Sequence, residues 1–163
     1  GGPLRAMVAK AFNLRIYVDM VDTPAFHSDV MAYPAITVIA REAKAGRFTL
    51  KLKPMERPLL VHGHCHQKAF GVMQPVLEVL RLIPGAKPEL IESSCCGMAG
   101  SFGYEVEHHA ISMQVAELSL LPAVRSAGDA WIVADGASCR HQIADGAGKE
   151  ALHVARVLAA HLA

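Results

Sequence analysis

Four cysteines, Cys65, Cys95, Cys96 and Cys139, are the residues of this chain best suited to chemistry. Thiolate sulfur is a soft donor that suits zinc and iron-sulfur clusters, and four such ligands can close a site. A free cysteine in an apolar chain is most often a small core residue. These four instead follow apolar runs, in the polar or glycine-rich stretches HGHCHQKA, SSCCGMAGSFGYE and DGASCRHQI. Adjacent side chains on an extended segment point opposite ways, so Cys95 and Cys96 serve one centre only where the backbone turns sharply. Gly97 and Gly100 can supply that turn, and the amides of a helix start can offset thiolate charge. Histidines crowd the same stretches: His62, His64 and His66 around Cys65, then His108, His109 and His141. Imidazole can ligate metal or donate to a thiolate. His64, His66 and His141 lie nearest the cysteines and lead as additional ligands or hydrogen-bond partners, with His108, Gly97 and Glu105 behind them. Glu105 could take a proton or bind metal, though at this position it equally suits a helix start.

The elements that must position these groups read as alternating strands and helices from residue 57 onward. Apolar runs at Pro58–His62, Glu89–Glu92 and Trp131–Ala134 are each followed by cysteine. Between them lie PVLEVLRLI, with Pro75 suited to a first helical turn, and a helix with Ile111, Val115 and Leu118 on one face, broken near Pro122. A final helix places Leu152, Ala155, Leu158 and Leu162 on one stripe. The expectation is an α/β fold, a small parallel sheet in the order β-α-β-α-β-α. Right-handed crossovers then bring all strand carboxyl ends, and the cysteines, to one edge. Residues 1–56 read as a flanking or interdomain segment, with LRIYV and FTLKL as strands and a helix at 34–45; residues 57–163 form the cysteine-rich domain.

Composition bounds the function classes. With 163 residues and 52% hydrophobic content, the chain can fold around its own core without disulfides. Sixteen Lys+Arg against fifteen Asp+Glu, scattered along the chain, give no bias toward nucleic acid. No apolar run reaches the roughly 18 residues of a membrane span, and no signal peptide is visible, so a cytoplasmic protein is expected. The Gly-Gly start without methionine suggests a fragment or processed product. The loop GMAGSFG lacks the glycine order of a dinucleotide site.

Together, Cys65 in HGHCHQKA, the Cys95-Cys96-Gly97 doublet and Cys139 in DGASCRHQI resemble the cysteine-rich CCG domain. That domain occurs in iron-sulfur subunits of glycolate oxidase, anaerobic glycerol-3-phosphate dehydrogenase and heterodisulfide reductase. The wording CHQKAF, CCGMAGSFGYE and SCRHQI is closer still to the C-terminal part of flavin-linked D-2-hydroxyacid dehydrogenases of the D-lactate and 2-hydroxyglutarate type. The resemblance covers about residues 58–163. It implies an iron-sulfur cluster, 4Fe-4S with four thiols, that carries electrons from a flavin. FAD would reside in a partner dehydrogenase domain or subunit, next to a ferredoxin-like iron-sulfur domain, and any membrane association would be peripheral and through those partners. Gly136 stands where the family has the first cysteine of its terminal Cys-x-x-Cys, which leaves four thiols instead of five. Zinc in a structural or assembly module, with histidine help, is the alternative occupant, and a degenerate site that binds nothing stays open beside it. A thiol redox protein, with Cys95 or Cys96 as nucleophile assisted by His66, is a third reading.

Overall fold

The structure, a computed structural model, describes residues 51–163. The strand expected at LRIYV, the helix at 34–45 and most of FTLKL lie outside the described residues. Strands β1 (Leu59–His62), β2 (Pro88–Leu90), β3 (Trp131–Ala134) and β4 (Ala151–Leu152) form one sheet in the order β2-β1-β3-β4, with every pairing parallel. Helices α1 (Cys65–Ala69) and α2 (Met73–Leu80) follow β1. A 3₁₀ turn at Phe102–Tyr104, α3 (Val106–Glu117) and α4 (Leu120–Ser126) follow β2. Helix α5 (Ala137–Ala147) follows β3, and α6 (Val154–Ala160) follows β4. The α/β class and the parallel sheet are as expected from the sequence.

Both sheet faces are covered, as a parallel sheet requires. Leu59, Val61 and Val133 face one way and pack with Val76, Val79 and Leu80 of α2 and Val154, Val157 and Leu158 of α6. Ile132 and Ala134 face the other way, against Leu120, Val124 and Ile143 of α4 and α5. Cys96 and Cys139 belong to this second cluster. Residues 51–56 join the first: Met55 is buried in it, and Leu52 bridges antiparallel to Leu162.

Several local readings need correction. The expected helix through Leu118 is two helices, and the break falls at Leu118–Ser119. Pro122 sits inside the first turn of α4, where no backbone N–H is needed. Ile111 and Leu118 are exposed, and the buried face of α3 is Ser112 and Ala116. The stripe of the last helix runs through Val154, Val157 and Leu158, because Leu152 belongs to β4. Helix α5 and strand β4 are additional elements. Cys65 and Cys139 lie in the first turns of α1 and α5, not in open turns.

Candidate functional site

Strand order reverses about β1, since β2 lies on one side of it and β3 on the other. Ligand sites in open α/β sheets form outside the carboxyl ends of strands at such a reversal. Cys65 comes three residues after β1, Cys95 and Cys96 follow β2, and Cys139 follows β3. The four thiols meet there as two pairs. Cys65 Sγ lies 3.4 Å from Cys95 Sγ, and Cys139 Sγ lies 3.3 Å from Cys96 Sγ. All four are free thiols, at separations well beyond a disulfide bond.

The doublet is turned by glycine, as its sequence required. Gly97 has φ +89°, and a Cβ there would fall 2.0 Å from the Ser112 carbonyl oxygen of α3. Ser112 is held in turn by Gln142 Nε2 of α5, 3.1 Å from its carbonyl oxygen and 2.9 Å from its hydroxyl. The turn continues through Ala99 (φ +42°) and Gly100 (φ +72°). Left-handed turns of this kind aim successive amides at a common point, a cradle for negative charge. Gly97 N donates to Cys95 Sγ at 3.3 Å, and the Met98 backbone amide donates to Cys96.

Two buried polar ties fix the loops. Asp135, whose side chain is 2% exposed, accepts from Gln67 Nε2 at 2.7 Å and from Val154 N at 3.0 Å. Gln67 Oε1 accepts from His64 N, so the start of α1, where Cys65 sits, is tied to the end of β3 and the start of α6. Lys68 Nζ donates to the carbonyl oxygens of Ser93 and Ser94, joining α1 to the loop that carries the doublet.

The electrostatics divide the thiols. The hydrogen bond from Cys139 holds Cys96 well below the ordinary thiol range, and His62 adds to the effect. The same bond, then burial, pushes Cys139 up, so this pair keeps one proton between two sulfurs. Burial and the bond to Cys95 raise Cys65 to about 11. His64 is lowered, first by burial and then by His66.

A cavity of about 340 Å³ opens on the site, lined by His64, Cys65, His66, Cys95, Cys96 and Ser138 among others. His64 caps α1, accepting from His66 N, and the two rings meet edge to face at 5.1 Å. The other named candidates lie to the side. Glu105 caps α3 by position and pairs with His108 at 2.7 Å, and His108 stacks on Phe102. The exposed ring of His141 bonds to Tyr104. None of these three lines the cavity. At Gly136 a Cβ would fall 2.9 Å from Cys139 Sγ and 2.4 Å from the His64 ring, so a side chain there would point at the cysteines and meet His64 first. A larger hollow of about 570 Å³, beside Arg57, Trp131 and Lys149, opens near the amino end of β3 and contains no cysteine.

Four residues that matter here went unselected in the sequence: His62, Gln67, Lys68 and Asp135. His62, Cys96 and Cys139 are all buried, and one donor atom from each lies within 4.8 Å of the others. The strand phase of LLVH carried that signal, because period two puts His62 on the side of Leu60.

No known family profile matches the chain, and no solved structure matches it. Among curated proteins it is similar to the Type II methyltransferase M.PaeR7I of Pseudomonas aeruginosa, 47% identical over 100 residues, 58% of this chain and 17% of that protein. It is similar to one of the subunits of anaerobic glycerol-3-phosphate dehydrogenase of Escherichia coli K12, 34% identical over 95 residues, 58% of this chain and 24% of that one. It is also similar to D-2-hydroxyglutarate dehydrogenase of the same strain, 41% identical over 59 residues, 36% of this chain and 6% of that one. The chain thus spans a quarter or less of these relatives. It carries a gathered cysteine/histidine cluster and is related in part to dehydrogenase proteins. No helix among the described residues is long and apolar enough to cross a membrane.

Proposed function

We propose that residues 57–163 are a CCG-type domain whose four cysteines hold an iron-sulfur centre that passes electrons for a flavin-linked 2-hydroxyacid dehydrogenase. The observation that carries this reading is the meeting of four free thiols, in pairs at 3.3 and 3.4 Å, at one sheet edge. The donor set fits such a group: soft sulfur, amides aimed at it, and a buried imidazole nitrogen without a nitrogen or oxygen partner. Cys65, Cys95, Cys96 and Cys139 would hold the centre, which when bound supplies one-electron chemistry. Cys139, His62 and the Met98 amide favour the thiolate of Cys96, packing keeps Cys139 from water, and the Cys65–Cys95 side is left open to a partner. The partial likeness to the two dehydrogenase proteins supports the assignment, and methyl transfer has no need of four gathered thiols. The FAD-binding and ferredoxin-like parts would belong to the rest of a cytoplasmic dehydrogenase or to a second subunit.

Anaerobic purification followed by visible absorption and by iron, sulfide and zinc analysis tests the reading. Brown protein with iron and acid-labile sulfide is the expected result. Colourless protein containing zinc alone would replace it with a structural zinc site, a reading favoured specifically by the buried His62, Cys96 and Cys139.

A further inference from the structure

His62 ends β1 and its residue is 1% exposed. Its Nδ1 lies 2.9 Å from Ser93 Oγ, and its buried Nε2 has no nitrogen or oxygen partner, leaving the Cys96 thiol as the group the ring acts on. Sulfur is a weak hydrogen-bond partner, and native interiors rarely leave a buried ring nitrogen so poorly satisfied without a purpose. Beside this ring stand Cys96 Sγ and Cys139 Sγ, within 4.8 Å of one of its ring nitrogens and of each other. Metal–donor bonds of about 2.0–2.3 Å in a tetrahedral site put neighbouring donors roughly 3.5–3.8 Å apart, so small side-chain adjustments bring these three onto one ion.

We propose that His62 is a metal ligand through Nε2 and that, with Cys96 and Cys139, it forms the buried half of the centre. The proposal rests on the reading of the four cysteines as a metal site. It selects one tautomer: Nδ1–H donates to Ser93 Oγ, and Nε2 presents its lone pair. Donation of the second ring N–H to a fixed acceptor is the usual way a ligating histidine is oriented. Ser93 is the positioning residue, and Lys68 Nζ, 3.3 Å from the same hydroxyl, holds it. Beside the four thiols, a neutral imidazole would add a donor without adding negative charge to the centre.

X-ray absorption at the metal edge tests this on the full chain, reconstituted anaerobically with ferrous iron and sulfide in one arm and Zn(II) in the other. The expected spectrum of the wild-type protein shows imidazole scattering beside sulfur. His62→Asn should abolish that imidazole signal and weaken metal binding roughly 10-fold or more, the scale at which even supporting residues act. The double variant His64→Ala/His66→Ala should keep it. A sulfur-only shell in the wild-type protein overturns the proposal without recourse to any variant. Loss of the imidazole signal in the double variant overturns it too, and this decides the matter if His62→Asn fails to fold. Failure of the wild-type chain to bind either metal would instead remove the metal-site reading itself.

Discussion

The two halves of the cysteine cluster are built differently. Cys96 and Cys139 are buried in the second hydrophobic cluster beside His62, and neither moves without disturbing Ile132, Leu120 or Ile143. Cys65 and Cys95 are half-buried and have His64 and His66 as companions on a cavity that Cys96 also lines. The inner pair is held by the same packing that holds the fold, and the outer pair by loop hydrogen bonds. One pair anchors a centre and the other gives it a face.

The substitution expected to break both halves at once is Gly97→Ala. Its Cβ would meet the Ser112 carbonyl oxygen at 2.0 Å on a left-handed backbone. We expect a loss of about 3 kcal/mol or more in denaturant unfolding, together with loss of bound metal. Single serine substitutions sharpen the contrast. Cys96→Ser and Cys139→Ser should abolish metal retention and lower stability, whereas Cys65→Ser and Cys95→Ser should lower metal content with little change in apo-protein stability. Equal effects at all four positions, measured by metal analysis and unfolding, would remove the distinction. Asp135→Ala should cost about 2 kcal/mol in unfolding, because Gln67 Nε2 and Val154 N lose a buried acceptor.

The outer pair can also be probed by pH in metal-free protein. Cys65 is raised from 9.0 to about 11, so its thiolate fraction at pH 8 is roughly 100-fold below that of an ordinary thiol. Its iodoacetamide alkylation, followed by peptide mass mapping, should rise with a midpoint near 11; a midpoint near 9 would show that neither burial nor Cys95 restrains Cys65. The smallest effect is expected at the side of the site. His141→Ala and His108→Ala, whose rings bond to Tyr104 and Glu105, should leave metal content within about twofold of wild type.

Much of this was legible from residue order alone. Trp131–Ala134 is a strand with the bounds its apolar run suggests, and the rule that parallel strands end together brought the cysteines to one edge. Helix α5 escaped notice because its buried positions are Cys139, Gln142 and Ile143, and a period containing glutamine does not read as an apolar stripe. Gln142 earns burial only through Ser112 on α3, a partner 30 residues away. Ile111 and Leu118 misled for the opposite reason: they are apolar and periodic, yet they point outward. His62 was hidden among its neighbours, since three histidines around one cysteine look alike until strand phase separates the inward one from the other two.

The contact between Gly97 and α3 carries a mechanical consequence. No side chain cushions the doublet from the Ser112 carbonyl, so the backbone of the helix and the backbone of the turn bear directly on each other. Close-packed interiors transmit displacement instead of absorbing it. The outer surface of α3 presents Val106 and Ile111 to solvent. Pressure applied to that surface would therefore be felt at Cys95 and Cys96, which makes α3 a lever whose short arm is a pair of sulfur atoms.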